Sequence, residues 1–220
     1  MDSIHDLLIG DADGYIHVYL NKGENGNPML EDGHRIAIGG VSIGVGGRAT
    51  PESIDWNNDG RDDLIVGSID GSVFLFLNTS NDRIPSFTHP TRLAFKNGKP
   101  INVGVRSAPR VFDLDGDGKK DLLIGEVMGY VYFLRNVGSD ESPAFERAER
   151  LRLMDGMPLK YPINGARSRL SISDWDDDGI HDILIGGMDG RVMLFKGLKG
   201  DLRIRLKRWI VIRVKELFER

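Results

Sequence analysis

The feature that most constrains the fold of this chain is an internal repeat. Each copy holds an acidic loop, a Leu-Ile-Gly-type run, a short turn ending in glycine, and a second apolar run. Three full copies of this pattern span residues 55–77, 113–134 and 174–195, and residues 6–20 carry its latter part. The turn glycines are spaced 57, 58 and 61 residues apart, at Gly14, Gly71, Gly129 and Gly190. Such a period predicts an array of similar units.

Each unit contains four short runs with β-strand character, and residues 1–200 show no sustained helical stripe. The Asp70-Gly71 pair between the second and third runs is typical of a tight hairpin turn. Four antiparallel strands in such a unit match the size of one β-propeller blade. We therefore expect an all-β, single-domain propeller of about four four-stranded blades, with repeats at residues 1–47, 48–105, 106–166 and 167–200.

The acidic loops place oxygen-bearing side chains at positions 1, 3, 5 and 9. In chain order these are Asp55, Asn57, Asp59 and Asp63, then Asp113, Asp115, Asp117 and Asp121, then Asp174, Asp176, Asp178 and Asp182. Glycine at position 6 lets the backbone turn sharply around an ion. Position 7 would offer a main-chain carbonyl from Arg61, Lys119 or Ile180. An all-oxygen set of this kind favours Ca²⁺ over Mg²⁺, so the sequence predicts about three Ca²⁺ per chain.

An EF-hand is the rival interpretation of these loops. It requires a bidentate glutamate at position 12 and a helix on each side. Position 12 is occupied instead by Val66, Ile124 and Ile185, and β-type runs follow. This excludes the EF-hand. Residues 2–6 align with the end of the third loop and lack positions 1–4, so no complete calcium site is expected there.

The acidic loop, the Leu-Ile-Gly strand and the Asp-Gly turn together resemble the FG-GAP/VCBS-type repeats. That family forms the calcium-binding propeller blades of integrin α chains and of many secreted bacterial proteins. The resemblance implies a calcium loop between the first two strands of each blade. It also implies an extracellular or cell-surface location and a role in adhesion or in binding a carbohydrate or protein ligand. Residues 1–6 show no signal-peptide pattern.

Composition excludes several other classes of function. The chain has no cysteine, which rules out disulfides, thiolate metal sites and cysteine nucleophiles. A net charge of −4 argues against nucleic-acid binding, and no apolar run is long enough for a transmembrane helix. The five histidines form no set, so we expect no enzyme activity. The alternative is a non-catalytic or partial segment of a carbohydrate-active enzyme, such as a polysaccharide lyase.

Two further recurrences suggest binding or packing roles. An arginine lies seven residues before the first aspartate of each loop, at Arg48, Arg106 and Arg167. These arginines are candidates for binding a carboxylated sugar or another anion, and inter-blade salt bridges are the alternative. Trp56 and Trp175 follow the first aspartate of their loops. We expect both side chains to pack in the core, and stacking on a sugar is the alternative.

The segment 201–220 breaks the repeat. Residues Leu202–Leu206 alternate like a strand, and Trp209–Val214 form a second apolar run of β type. We expect a strand within Leu202–Val214 to pair with Leu7–Leu20 and complete the first blade. Within one chain this pairing would close a four-bladed ring, and between chains it would cause self-association. The alternative is a partial propeller that another chain completes or that belongs to a longer protein.

Overall fold

The structure, a computed structural model, describes residues 4–82, 84–162, 167–197 and 207–213. The first unit forms a three-stranded antiparallel sheet followed by a small hairpin. Its strands are β1 (Leu7–Gly10), β2 (Ile16–Tyr19) and β3 (His34–Arg35), and the hairpin consists of β4 (Ala37–Ile38) and β5 (Val41–Ser42). In the part of the chain that the structure describes, no helix has the length and apolar character needed to cross a membrane.

The next three units each form a four-stranded antiparallel sheet with the strands in chain order. The second blade consists of β6 (Thr50–Ile54), β7 (Asp63–Gly67), β8 (Val73–Phe76) and β9 (Thr91–Arg92). The third consists of β10 (Ala108–Phe112), β11 (Asp121–Gly125), β12 (Val131–Leu134) and β13 (Glu149–Arg150). The fourth consists of β14 (Arg169–Ser173), β15 (Asp182–Gly186), β16 (Arg191–Lys196) and β17 (Lys207–Arg213). The all-β, blade-like architecture predicted from the repeat is confirmed.

The blades stack through their first strands. Strand β6 packs against β1, β10 packs against β6 and β7, and β14 packs against β10 and β11. The second strands in the middle of the stack are buried on both faces. Their sequences are therefore continuous apolar runs, such as Leu64-Ile65-Val66. No sheet among the described residues closes on itself.

The glycine that ends the Leu-Ile-Gly run of the first three units permits this close stacking, whereas a Cβ atom on Gly186 in the last unit would have no neighbour within 4 Å among the described residues. A Cβ atom on Gly67 would lie 2.3 Å from the carbonyl oxygen of Ser107 in the next blade, inside van der Waals contact. The same approach recurs at 2.2 Å for Gly10 against Ala49 and at 2.4 Å for Gly125 against Ser168. The repeated glycine is therefore required by contact between blades, because any side chain would push the neighbouring backbone away.

The hydrophobic core lies between neighbouring blades. Between the second and third blades, Trp56 is fully buried and its ring centroid is 6.3 Å from that of Phe145. This confirms core packing for Trp56. Trp175, at the same loop position in the last blade, is 42% exposed, so one sequence motif occupies two different environments.

The C-terminal strand differs from its expected pairing. Strand β17 lies within the predicted segment Leu202–Val214, but it pairs with β16 as the fourth strand of the last blade, with Val192 opposite Ile212. The expectation that it would pair with Leu7–Leu20 is therefore wrong. Only a short connection separates β16 from β17, so their pairing loses far less loop-closure entropy than pairing with the N-terminal strands. The remainder of segment 201–220 lies outside the described residues.

Candidate metal centre

Three acidic loops join the first and second strands of the last three blades. We name them loop 1 (residues 55–63), loop 2 (residues 113–121) and loop 3 (residues 174–182). They all lie at one end of the stack, which we call the loop face. The turns between the second and third strands, such as residues 68–72, lie at the opposite end, which we call the hairpin face.

Loop 2 brings together the carboxylates at positions 1, 3 and 5. Oxygen atoms of Asp113, Asp115 and Asp117 lie within 4.8 Å of one another. Asp113 curls the loop, since its Oδ1 accepts a hydrogen bond from the N–H of Asp117 at 3.1 Å and its Oδ2 accepts one from Gly118 at 2.8 Å. Gly118 has φ +84°, a conformation that L side chains rarely adopt. The loop backbone thus gathers the carboxylates around one point.

Loop 3 repeats this arrangement. Oxygens of Asp174, Asp176 and Asp178 lie within 4.8 Å of one another. Asp174 accepts hydrogen bonds from the N–H of Asp178 at 3.0 Å and from that of Gly179 at 2.8 Å, as its counterpart does in loop 2. These two loops are the places in the described residues where three carboxylates converge in this way.

Loop 1 has the same backbone and one substitution in its donor set. Asp55 accepts hydrogen bonds from the N–H of Asp59 at 3.0 Å and from that of Gly60 at 2.9 Å. Position 3 is Asn57, a neutral amide, and its Nδ2 donates a hydrogen bond to Oδ2 of Asp59 at 2.9 Å. Loop 1 therefore has one fewer negative charge at these three positions than loops 2 and 3.

The residues at position 7 follow one local pattern. The backbone N–H of each donates to the position-5 carboxylate, at 3.0 Å for Arg61, 3.0 Å for Lys119 and 2.9 Å for Ile180. This contact fixes the peptide that follows the glycine. A carbonyl ligand from position 7 remains a prediction.

Position 9 has a structural role that the sequence did not reveal. Asp121 is fully buried, and its two oxygens accept hydrogen bonds from the N–H of Leu114 at 3.1 Å and of Asn136 at 2.8 Å. The carboxylate therefore connects the start of loop 2 to the end of β12.

The position-9 aspartates of the other two loops make equivalent bonds. The carboxylate of Asp63 accepts from the N–H groups of Trp56 and Asn78, and that of Asp182 accepts from those of Trp175 and Gly197. Asn21, Asn78 and Asn136 recur 57 and 58 residues apart and were the available signal for this contact.

Burial and charge both act on the position-9 carboxyl of loop 2. The pKa of Asp121 is raised to about 6, mainly by burial and in part by the negative charges of Asp115 and Asp117, while its backbone hydrogen bonds oppose the shift. The same burial raises the pKa of Asp63 in loop 1. Position 9 thus lies near the gathered carboxylates while remaining bound to the backbone.

Cationic side chains also reach the loops. Arg135 contacts the buried Asp115 in loop 2, and Lys119 lies 3.7 Å from Asp117. Lys196 pairs with Asp176 in loop 3, and Arg61 pairs with Asp59 in loop 1. Arg135 directly follows β12 and Lys196 ends β16, so each lies next to the residue bonded by position 9. The loop motif alone gave no signal for either of them.

The incomplete first loop has one described anchor. Asp6 accepts a hydrogen bond from the N–H of Asn21 at 2.7 Å, which is the position-9 contact of the other blades. Asp2 lies outside the described residues. The first unit thus retains the structural bond of the loop.

The candidate ligand-binding arginines lie at the other end of the blades. Arg48 and Arg106 precede β6 and β10, and Arg167 precedes β14, at the hairpin face. The structure thus separates them from the acidic loops by the length of a strand.

Comparisons with known proteins agree with the repeat. Residues 55–124 match the family model described as FG-GAP-like repeat. The chain is 25% identical over 199 residues to integrin alpha-3 of Cricetulus griseus and of Mus musculus, in each case over 81% of this chain and 17% of the relative. Integrin alpha-4 of Xenopus laevis is 25% identical over 138 residues. The chain therefore spans about a sixth of the length of the integrin relatives it matches.

A solved structure also aligns with almost the whole chain. It is BBS1N, from its complex with ARL6DN, with a TM-score of 0.41 and 14% identity over 97% of this chain and 54% of that one. The family match covers loops 1 and 2, and the integrin matches extend the similarity along most of the chain. Residues 55–124 therefore carry the FG-GAP-like repeat that the loops and turns of the sequence predicted.

Proposed function

We propose that the chain is a calcium-binding, non-catalytic propeller module for extracellular binding of a protein or carbohydrate ligand. The observation that carries the calcium assignment is the convergence of carboxylates within 4.8 Å in loops 2 and 3. The integrin α relatives support an adhesion-type role at the cell surface.

The donor set fits a hard cation of this kind. In loops 2 and 3 every gathered group is a carboxylate oxygen, and loop 1 has two carboxylates and one amide at the same positions. Ca²⁺ takes six to eight such ligands, whereas Mg²⁺ demands a near-ideal octahedron and retains water. The excess negative charge is largest in loop 3, where Lys196 is the cationic partner of Asp176 within the described residues.

The loop residues prepare the site before an ion arrives. Asp174 holds the backbone curl through two hydrogen bonds, and Asp182 fixes the loop to the end of β16. These contacts keep the position-1, position-3 and position-5 side chains on one side of the turn. A bound Ca²⁺ would supply the positive charge that offsets their mutual repulsion.

A matched pair of substitutions in loop 3 tests the calcium assignment. Asp178→Ala removes a gathered carboxylate and its ligand oxygens, while Asp177→Asn removes the same charge one residue away, at a position with φ +55° that asparagine tolerates. We expect about three Ca²⁺ per chain by elemental analysis, one fewer in D178A and no change in D177N. Equal calcium content in the two variants would contradict the proposal.

Calcium removal tests the same proposal through stability. A site held at 100 times its Kd adds about 2.7 kcal/mol to the free energy of unfolding. The stabilisation from three such sites is comparable with the total free energy of unfolding of a typical domain, about 5–15 kcal/mol. We expect excess EDTA to lower the melting temperature by many degrees and added Ca²⁺ to restore it. An unchanged melting curve would overturn the calcium assignment.

A further inference from the structure

Three arginines on successive blades share one unusual backbone conformation. Arg48, Arg106 and Arg167 have φ of 48°, 63° and 53°, in the left-handed region that side chains other than glycine, asparagine and aspartate seldom adopt. The conformation recurs at the same position before β6, β10 and β14. A non-glycine residue held this way in three blades points to a requirement for its side chain.

The backbone of each arginine is anchored to the blade before it. The N–H of Arg48 donates to the carbonyl of Ala12 at 3.0 Å, and that of Arg106 donates to Ile69 at 2.9 Å. Arg167 makes the same bond to Val127 at 3.3 Å. Because the main chain makes this inter-blade contact, the guanidinium groups are not needed for it.

The positive charges of these arginines act on one another. Desolvation lowers the pKa of Arg106, and the positive charges of Arg167 and Arg48 lower it further. Arg169, on β14, has its pKa lowered by burial and then by the charges of four arginines, those at 110, 167, 106 and 48. Five cationic side chains from three blades therefore interact with one another in a protein whose net charge is −4.

This arginine cluster (Arg48, Arg106, Arg110, Arg167 and Arg169) lacks matching anions. Among the described residues, no carboxylate lies within salt-bridge distance of any of the five. Glu52 lies close enough to act on Arg110, but its carboxylate already accepts the N–H of Val111. The Nε of Arg167 is buried without a hydrogen-bond partner in the described structure. An orphaned donor within a cluster of like charges is the signature expected of an anion site.

The surroundings indicate the kind of anion. Val105, next to Arg106, is 48% exposed, and Met128, in the turn that anchors Arg167, is 45% exposed. Arginine and methionine are enriched at protein interfaces, where apolar contact accompanies charge. Guanidinium groups bind carboxylates in a bidentate geometry. The exposed Trp175, which could stack on a sugar, follows the first aspartate of loop 3, on the opposite face.

We propose that Arg48, Arg106 and Arg167 bind the carboxylates of an acidic segment of a partner protein at the hairpin face. The proposal rests on the extracellular binding function proposed above and gives that function a ligand class. It does not rest on the calcium assignment, because the cluster and the acidic loops lie at opposite ends of the blades. Binding of the acidic segment and loss of calcium can therefore be measured separately.

The test uses a fluorescent deca-glutamate peptide and the full calcium-loaded chain. We expect saturable binding that weakens at least tenfold in the double variant Arg106→Asn/Arg167→Asn, since asparagine tolerates the left-handed backbone. Arg147→Asn is the matched control, because the Arg147 side chain is 87% exposed and lies outside the cluster. It should bind the peptide like the unmodified chain. Calcium content and melting temperature of each variant establish that it is folded.

A second double variant and a carbohydrate ligand complete the test and identify the source of the anion. If the double asparagine variant fails to fold, Arg106→Lys/Arg167→Lys retains the charge and loses bidentate geometry, and we expect it to weaken peptide binding severalfold. Equal peptide affinity in the cluster variants and in R147N would overturn the proposal. Tighter, cluster-dependent binding of polygalacturonate than of the peptide would also overturn it, in favour of an acidic carbohydrate. Loss of Ca²⁺ in D178A without loss of peptide binding would support independent sites.

Discussion

Glu52 of β6 accepts a hydrogen bond from the backbone N–H of Val111 of β10, at 2.8 Å between Oε2 and N. This bond joins the innermost strands of the second and third blades. Arg110, beside Val111, continues the connection by donating from Nε to the carbonyl of Leu170 in the fourth blade at 2.8 Å. Polar contacts thus link three successive blades along the inner side of the stack.

The first prediction concerns the protonation of Glu52. Burial raises its pKa from 4.5 to about 7, against the opposing effects of Arg110 and the Val111 hydrogen bond. The folded chain therefore binds a proton more tightly than the unfolded chain, and this group lowers stability as pH rises from about 4.5 to about 7. At about 1.4 kcal/mol per pKa unit, the upper limit is roughly 3 kcal/mol.

Glu52→Gln removes this dependence while retaining an oxygen that accepts from Val111. We expect the variant to gain stability relative to the unmodified chain as pH is raised from 5 to 8, by about 1–3 kcal/mol. Urea unfolding at several pH values, at constant free Ca²⁺, measures the difference. A stability difference that stays constant with pH would contradict the burial of an ionisable group here.

The second prediction separates the structural aspartate of loop 2 from its gathered carboxylates. Asp121→Ala leaves the N–H groups of Leu114 and Asn136 without their partner. We expect a loss of about 2–4 kcal/mol even in EDTA, since an unsatisfied buried donor costs about 1–3 kcal/mol. Asp117→Ala is the matched control, because this exposed side chain should change stability in EDTA by less than about 1 kcal/mol. Equal losses in EDTA would show that position 9 has no separate role.

The third prediction concerns the two tryptophans. Trp56→Ala should destabilise the chain by about 3–5 kcal/mol, because it empties a fully buried site against Phe145. Trp175→Ala, at the equivalent but 42% exposed position, should change stability by less than about 1 kcal/mol. Denaturant unfolding of both variants measures the contrast. Similar losses would mean that Trp175 is also part of a core.

Local features of the chain could be predicted because they depend on local chemistry. The hairpin turns and the curl of loops 1–3 follow from glycine and aspartate at fixed offsets, and the structure contains them. The four-stranded unit follows from its length and its apolar runs. The glycine of each Leu-Ile-Gly run was visible as a recurrence, although its cause, the contact between Gly67 and Ser107, lies in the next blade.

Features that depend on a neighbouring blade could not be predicted from one unit. Trp56 and Trp175 occupy equal positions in the repeat, and their burial differs because Phe145 of the following unit covers only Trp56. Glu52 has an ordinary strand sequence around it, and its burial arises from β10. The pairing of β17 was likewise undetermined, since several strand edges were available to a segment with an alternating pattern.

The last prediction tests the role of β17 as the outer strand of the fourth blade. Deleting residues 201–220 removes β17 and leaves β16 with unpaired backbone groups along one edge. Such an edge is a template for pairing with another chain, so we expect a lower melting temperature and concentration-dependent association in sedimentation experiments. Deletion of residues 214–220 alone retains β17 and should leave the chain as stable as before. If the longer deletion were equally stable and monodisperse, β17 would contribute nothing to the blade, and the pairing between Val192 and Ile212 would be of no structural consequence.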